Sequence, residues 1–186
     1  MHVMAGMPSG TISYKDGAIL NSGDHLRIQV NGKQVRGSMP WLGHDPIYAS
    51  SQMINNIQSL ISRKADLSKG MGVVSIGSIQ GGTAGNVIPE QVNMTGTIRS
   101  NSENIRQNIL KDLPKMIEYN ALANDVTTKV EIAPYAPVTM NDKTLTKLMQ
   151  PTLAKVVGDS KLRVLENNSS ASEDFAYYGE LMPSLF

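Results

Sequence analysis

Histidines are the first residues to weigh for chemistry, and the chain has three, His2, His25 and His44. None stands at an HxxxH or HExxH spacing from another, so no local motif encloses a metal ion. A lone histidine is more often structural than a ligand, and on spacing alone His2 reads that way. The run Gly81-Gly82-Thr83-Ala84-Gly85-Asn86 offers backbone donors of the kind that cradle phosphates. It lacks the GxxxxGK[ST] pattern and opens no helix, so a loop joining two strands is the simpler reading. Arg99 stands among threonines on a strand face, where a surface salt bridge is the ordinary role. Ser172-Glu173-Asp174 suits a helix N-cap with acidic first-turn residues. There is no G-x-S-x-G elbow for a nucleophilic serine. The absence of cysteine excludes disulfides and thiolate metal sites and fits a reducing compartment, so a cytoplasmic location is expected.

These residues need a scaffold, and 186 residues suffice for one good core or two small ones. The net charge is +1, which gives no electrostatic reason to expect nucleic acid or membrane as partner. No apolar run approaches the ~20 residues of a membrane helix. The start is not a signal peptide, because no basic segment leads into an apolar one. Both ends, His2-Val3-Met4 and Met182-Pro183-Ser184-Leu185-Phe186, are apolar where free termini are usually polar, so the chain reads as cut from something longer.

Residues 11–22 predict a short hairpin or turn around Asp16-Gly17. Residues 24–31 alternate, with Leu26, Ile28 and Val30 on one side, as in a half-buried strand ended by Asn31-Gly32. After an irregular loop over 37–46, Asp45 and Pro46 predict the cap and first position of a helix over 46–64. Its apolar stripe would be Ile47, Met53, Ile54, Ile57, Leu60 and Ile61. Strands are expected at 71–80 and 92–99 on either side of the glycine-rich loop. Ser102 starts a second helix, which Pro114 should kink or break, and a fourth strand follows at 126–133. The order over 24–138 is β-α-β-β-α-β, an α+β, ferredoxin-like pattern of four antiparallel strands with two helices on one face. The other face and at least one edge need a partner or solvent-tolerant residues. Beyond Pro137 the character changes to an amphipathic helix over 142–157, a short strand at 162–165 and a polar loop at 167–172. This tail has no evident packing on the βαββαβ unit, so it is assigned to a different domain.

The segment Gly32-Lys33-Gln34-Val35-Arg36-Gly37-Ser38-Met39-Pro40-Trp41-Leu42-Gly43-His44-Asp45-Pro46-Ile47 resembles the lid signature of M20 amidohydrolases. The likeness is to the branch that hydrolyses N-acyl amino acids and hippurate. Three further segments agree in order: His2-Val3, Gly81 to Pro89 followed by Gly96-Thr97-Ile98-Arg99-Ser100, and Ser172-Glu173-Asp174-Phe175. The resemblance implies an enzyme with two divalent metals, zinc or manganese, that activate water for attack on an amide, with a glutamate as general base. It implies that residues 23–138 are the lid, or dimerisation, domain, that 1–22 and 139–186 are remnants of an α/β catalytic domain, and that a homodimer forms through the lid. By position it makes His2 a metal ligand, makes Asn86 and Arg99 holders of the substrate's amide and carboxylate, and puts Glu173 and Asp174 along the catalytic side. Asn86, Arg99 and the loop around Arg36 are expected to close over one metal centre.

Where the family has a lid histidine that reaches the partner's site, this chain has Arg36. Arginine supplies charge there but no neutral imidazole, and His44, eight residues on, is a poor substitute. The histidine-rich motif, the general base and the last histidine ligand are not in this sequence. No catalytic set is complete, so the chain alone is expected to bind no metal pair and to be inactive. A non-catalytic dimerisation or binding module is the alternative. An RNA-binding ferredoxin-like domain is disfavoured, since 71–80 and 92–99 carry no aromatics.

Overall fold

The computed structural model describes residues 6–186; His2 lies outside the described residues. In chain order the elements are β1 (Ile12–Tyr14), β2 (Gly17–Leu20), β3 (Gly23–Asn31), β4 (Val35–Arg36), α1 (Pro46–Ser59), β5 (Gly72–Gly81), β6 (Val87–Ile88) and β7 (Gln91–Ser100). They continue with α2 (Glu103–Ala123), β8 (Thr127–Ala136), β9 (Thr139–Asn141), α3 (Lys143–Val157), β10 (Leu162–Val164) and α4 (Ala176–Leu181).

The expected βαββαβ unit is present. Its four strands lie in the order β5-β7-β3-β8, all antiparallel, with β3 and β7 central. Alternation explains the packing. Leu26, Ile28 and Val30 of β3 and Val92, Met94 and Ile98 of β7 are buried against the helices. Met53, Ile57 and Leu60 come down from the first helical segment, and Ile105, Ile109, Leu113 and Ile117 from α2. Each such side chain contributes about 1.5–3 kcal/mol by leaving water, which locks the register of both central strands. The intervening residues, among them Arg27, Asn93, Thr95 and Arg99, share the helix-free face, which is mostly polar.

The caps follow the sequence. The Asp45 carboxylate accepts hydrogen bonds from the N–H groups of Ile47 (2.8 Å) and Tyr48 (3.0 Å) at the start of α1. Ser102 caps α2, and Asp142 caps α3 through the Leu145 N–H. Helix α1 ends at Ser59, earlier than expected. Residues 60–64 form a wider π-type turn, closed by the Ala65 N–H donating to the Leu60 carbonyl. Pro114 does not break α2, which runs unbroken from Glu103 to Ala123 because the buried stripe on either side holds it to the sheet.

Several expectations need correction. Residues 11–22 turn at Gly17, with φ +70°, but form no hairpin. β1 instead pairs in parallel with β10, and β2 antiparallel with β9. Ile47 is 43% exposed and does not join the α1 stripe. On α3, Leu148 and Val156 are exposed; nothing among the described residues covers that face. The tail does touch the βαββαβ unit. The Asn101 amide donates to Asn168 (3.1 Å), the Tyr177 hydroxyl donates to the Tyr135 carbonyl (3.3 Å), and Arg99 donates to Ser172. Buried Ser22 and Ser100 tie the entry strand to the end of β7 at the same junction.

A buried ion pair pins the start of β3 to the first turn of α2. The Arg106 guanidinium donates to both Asp24 carboxylate oxygens, at 2.9 and 2.6 Å, and to Glu103 at 2.9 Å. Asp24 and Arg106 are almost fully buried. Hydrogen bonding to Asp24 pushes the guanidinium's pKa further above its ordinary high value, against the opposing effect of burial.

Candidate functional site

The site residues fall into two groups, each made by the ladder that carries it. The first group is built by strands too short to show a period. Arg36 on β4 pairs with Val87 on β6, and the Gly37 N–H donates to the Asn86 carbonyl at 2.8 Å. A side chain at Gly37 would stand 3.3 Å from the Asn86 backbone, so a glycine there lets the two loops close on each other. Arg36 and Asn86 are therefore neighbours, both exposed. The turn after Arg36 carries Trp41 at 76% exposure, with Leu42 and Tyr48 also exposed.

The second group lies at the other end of the unit. Arg99 stands near the end of β7 on the helix-free face, half-buried. Its Nη1 donates to the Ser172 hydroxyl, and among the described residues it makes no ion pair. Gly23, opening β3 beside it, is the space that permits this contact. A Cβ there would fall 2.8 Å from Ser172 Oγ and 3.0 Å from Arg99 Nη1. Ser172 is thus not the N-cap of α4, whose first residue is Ala176. The Glu173 and Asp174 carbonyls instead accept from the Ala176 and Tyr177 N–H groups.

A hydrogen bond shared with Glu173, and then the repulsion of its charge, hold the exposed Asp174 carboxyl above the usual carboxylate range. The sign follows from the direction. The raised acid favours the protonated fold, so this contribution is full at low pH and disappears as pH rises through the folded-state value. Glu173→Gln is expected to bring the Asp174 titration down toward an ordinary aspartate. Carboxyl-carbon NMR across the acid range checks this; an unmoved midpoint contradicts it.

The two groups do not meet within one chain. Asn86 precedes the first residue of β7 and Arg99 stands at its far end. At ~3.3 Å per residue β7 alone puts roughly 25 Å between Gln91, at the Asn86 end, and Arg99. The expectation that Asn86, Arg99 and the Arg36 loop close together over one centre is not met by a single copy. Nor do the described residues fit a dinuclear metal centre by themselves: no three His, Cys, Asp or Glu side chains among them gather to hold a metal ion. His44 is exposed and, among the described residues, bridges to Lys33 through backbone. Gly23 and the Arg36–Asn86 adjacency escaped the sequence reading. The first carries no signal beyond being glycine, and the second is set by strands of two residues.

A family model described as a peptidase dimerisation domain matches residues 23–125. Among curated proteins, the N-acetylcysteine deacetylase of Bacillus subtilis is 33% identical over 186 residues, covering all of this chain and 48% of the relative. The hippurate hydrolase of Campylobacter jejuni is 32% identical, covering 90% of this chain and 43% of that protein. Among solved structures, a dinuclear metal binding peptidase of the M20 family from Bacillus subtilis superposes with a TM-score of 0.74 at 29% identity, covering all of this chain and 45% of its own. A protein from methicillin resistant Staphylococcus aureus superposes with a TM-score of 0.88 at 30% identity, covering all of this chain and 48% of its own. The chain belongs to the M20 peptidase family and contains its dimerisation domain. It spans about half the length of the curated relatives it matches.

Proposed function

We propose that this chain is the lid-bearing part of a metal-dependent amidohydrolase that cleaves the amide bond of N-acyl amino acids or similar small amides. The observation that carries this reading is Arg99: a half-buried guanidinium on a polar sheet face, held by one hydroxyl and balanced by no carboxylate among the described residues. Such a group is matched to a carboxylate, which it binds through paired, charge-assisted hydrogen bonds. The named activities of the relatives, deacetylation of N-acetylcysteine and hydrolysis of hippurate, act on amides whose products include an amino acid, so their substrates carry such a carboxylate.

Residues 23–138 form the lid, and 1–22 and 139–186 belong to the catalytic domain. Two divalent metals, zinc or manganese, are held mainly by parts of the protein other than the described residues, with His2 as one ligand. Glu173 and Asp174 line the catalytic side. The protein works as a homodimer through the lid. Two facts support a partner at the Arg36–Asn86 end: that end is roughly 25 Å from Arg99, and it exposes Trp41, Leu42 and Tyr48, the kind of apolar patch that marks a contact surface. Arg36 and Asn86 then serve the partner's site, with Asn86 offering an amide to the substrate's amide and Arg36 a positive charge to the developing oxyanion. No helix of the described residues is long and apolar enough to cross a membrane, and the reading assigns the protein to the cytoplasm.

The test compares the full-length protein with residues 1–186, each supplied with zinc or manganese and an N-acyl amino acid. The full-length protein is expected to turn over and residues 1–186 are not. Turnover by 1–186, or none by the full-length protein on any N-acyl amino acid, overturns the reading.

A further inference from the structure

We propose that Ser172 is a positioning residue for Arg99, holding its guanidinium across the junction between sheet and tail, and that Gly23 is the opening through which the two meet. This rests on the reading of Arg99 as the receptor for the substrate's carboxylate. Without a tether, a long arginine side chain on an open sheet face loses rotamer freedom only when substrate arrives. The Ser172 hydroxyl removes that freedom beforehand. It engages one N–H of the guanidinium and, among the described residues, leaves the others free to donate. As a neutral acceptor it does not compete in charge with an incoming carboxylate, which an aspartate at the same place would do.

The room for this contact comes from a missing side chain. A methyl group at Gly23 would sit 2.8 Å from Ser172 Oγ and 3.0 Å from Arg99 Nη1. Both are ends of side chains, and Ser172 Cβ at 3.2 Å would have to give by a few tenths of an ångström, so Gly23→Ala would push Ser172 and Arg99 apart. The neighbouring Asp24–Arg106 pair holds the start of β3 in place.

The experiment measures KM and kcat of the full-length, metal-loaded enzyme on an N-acyl amino acid and on its carboxamide. Ser172→Ala and Gly23→Ala are each expected to raise KM for the acid about tenfold, the scale of the rotamer freedom a long side chain must then give up on binding. Neither should change kcat or the carboxamide's KM by more than about twofold, and Ser172→Thr should restore most of the loss. In residues 1–186, NMR should show the Arg99 guanidinium protons exchanging slowly in the wild type and fast in Ser172→Ala. If Arg99→Ala raises the acid's KM while Ser172→Ala leaves it unchanged, the positioning role is wrong and the role of Arg99 stands. If Arg99→Ala does not separate acid from carboxamide, both fall together. A drop in melting temperature in Ser172→Ala with an unchanged acid-to-carboxamide ratio marks Ser172 as a structural clamp only and overturns the proposal.

Discussion

Asp24→Ala is expected to destabilise the protein by about 3–5 kcal/mol, a large share of a domain's whole stability. The reason is what the substitution leaves behind. Arg106 would keep its charge at 6% exposure, with only the half-exposed Glu103 carboxylate to balance it. A guanidinium cannot shed its proton to escape the penalty. Asp24→Leu combined with Arg106→Met removes both charges and should recover most of the loss, since apolar replacement of a buried pair is often neutral. Urea denaturation of the three proteins measures this. A loss below about 1 kcal/mol for Asp24→Ala, as for a surface pair, contradicts the account.

Arg99→Ala in the full-length protein should lower kcat/KM for N-acyl amino acids about 10- to 100-fold and leave the corresponding neutral amides within about twofold. A bidentate contact between guanidinium and carboxylate contributes about 1.5–3 kcal/mol, and the half-buried setting of Arg99 limits screening by water. A carboxamide gains little from the guanidinium, so it loses little. Arg99→Lys should recover only part of the loss, because an ammonium cannot reproduce the planar fork. Equal losses on acid and amide would show that Arg99 supports the fold and does not read the substrate.

Much of the scaffold could be read from the residues. The alternation of Leu26, Ile28 and Val30, and of Val92, Met94 and Ile98, gave both central strands and their buried faces. Asp45-Pro46 and Ser102 gave two helix starts. What escaped was set by contacts distant in sequence. The Asp16-Gly17 turn is local and legible, but the partners of β1 and β2 lie beyond residue 138, so of the expected hairpin or turn only the turn forms. β4 and β6 have two residues each and show no period. An apolar stripe says that a face needs cover without saying what covers it, and α3 bears this out with Leu148 and Val156 exposed. The candidate site was legible as residue types in Asn86 and Arg99, not as a layout. Their separation follows from the length of β7, and only the folded chain shows that Arg36 keeps company with Asn86 and not with Arg99.

That separation makes the central claim testable in one mixing experiment. Full-length Arg99→Ala and Asn86→Ala proteins, each assayed below KM on an N-acyl amino acid and each expected to keep about a tenth of wild-type activity or less there, are dissociated, mixed in equal amounts and allowed to reassociate. If Arg99 serves its own subunit and Asn86 its partner, each mixed dimer has one site with both residues intact. Half the dimers are mixed at random pairing, so about a quarter of wild-type activity should return. Mixed dimers as inactive as their parents would place both residues in one subunit's site and contradict the account.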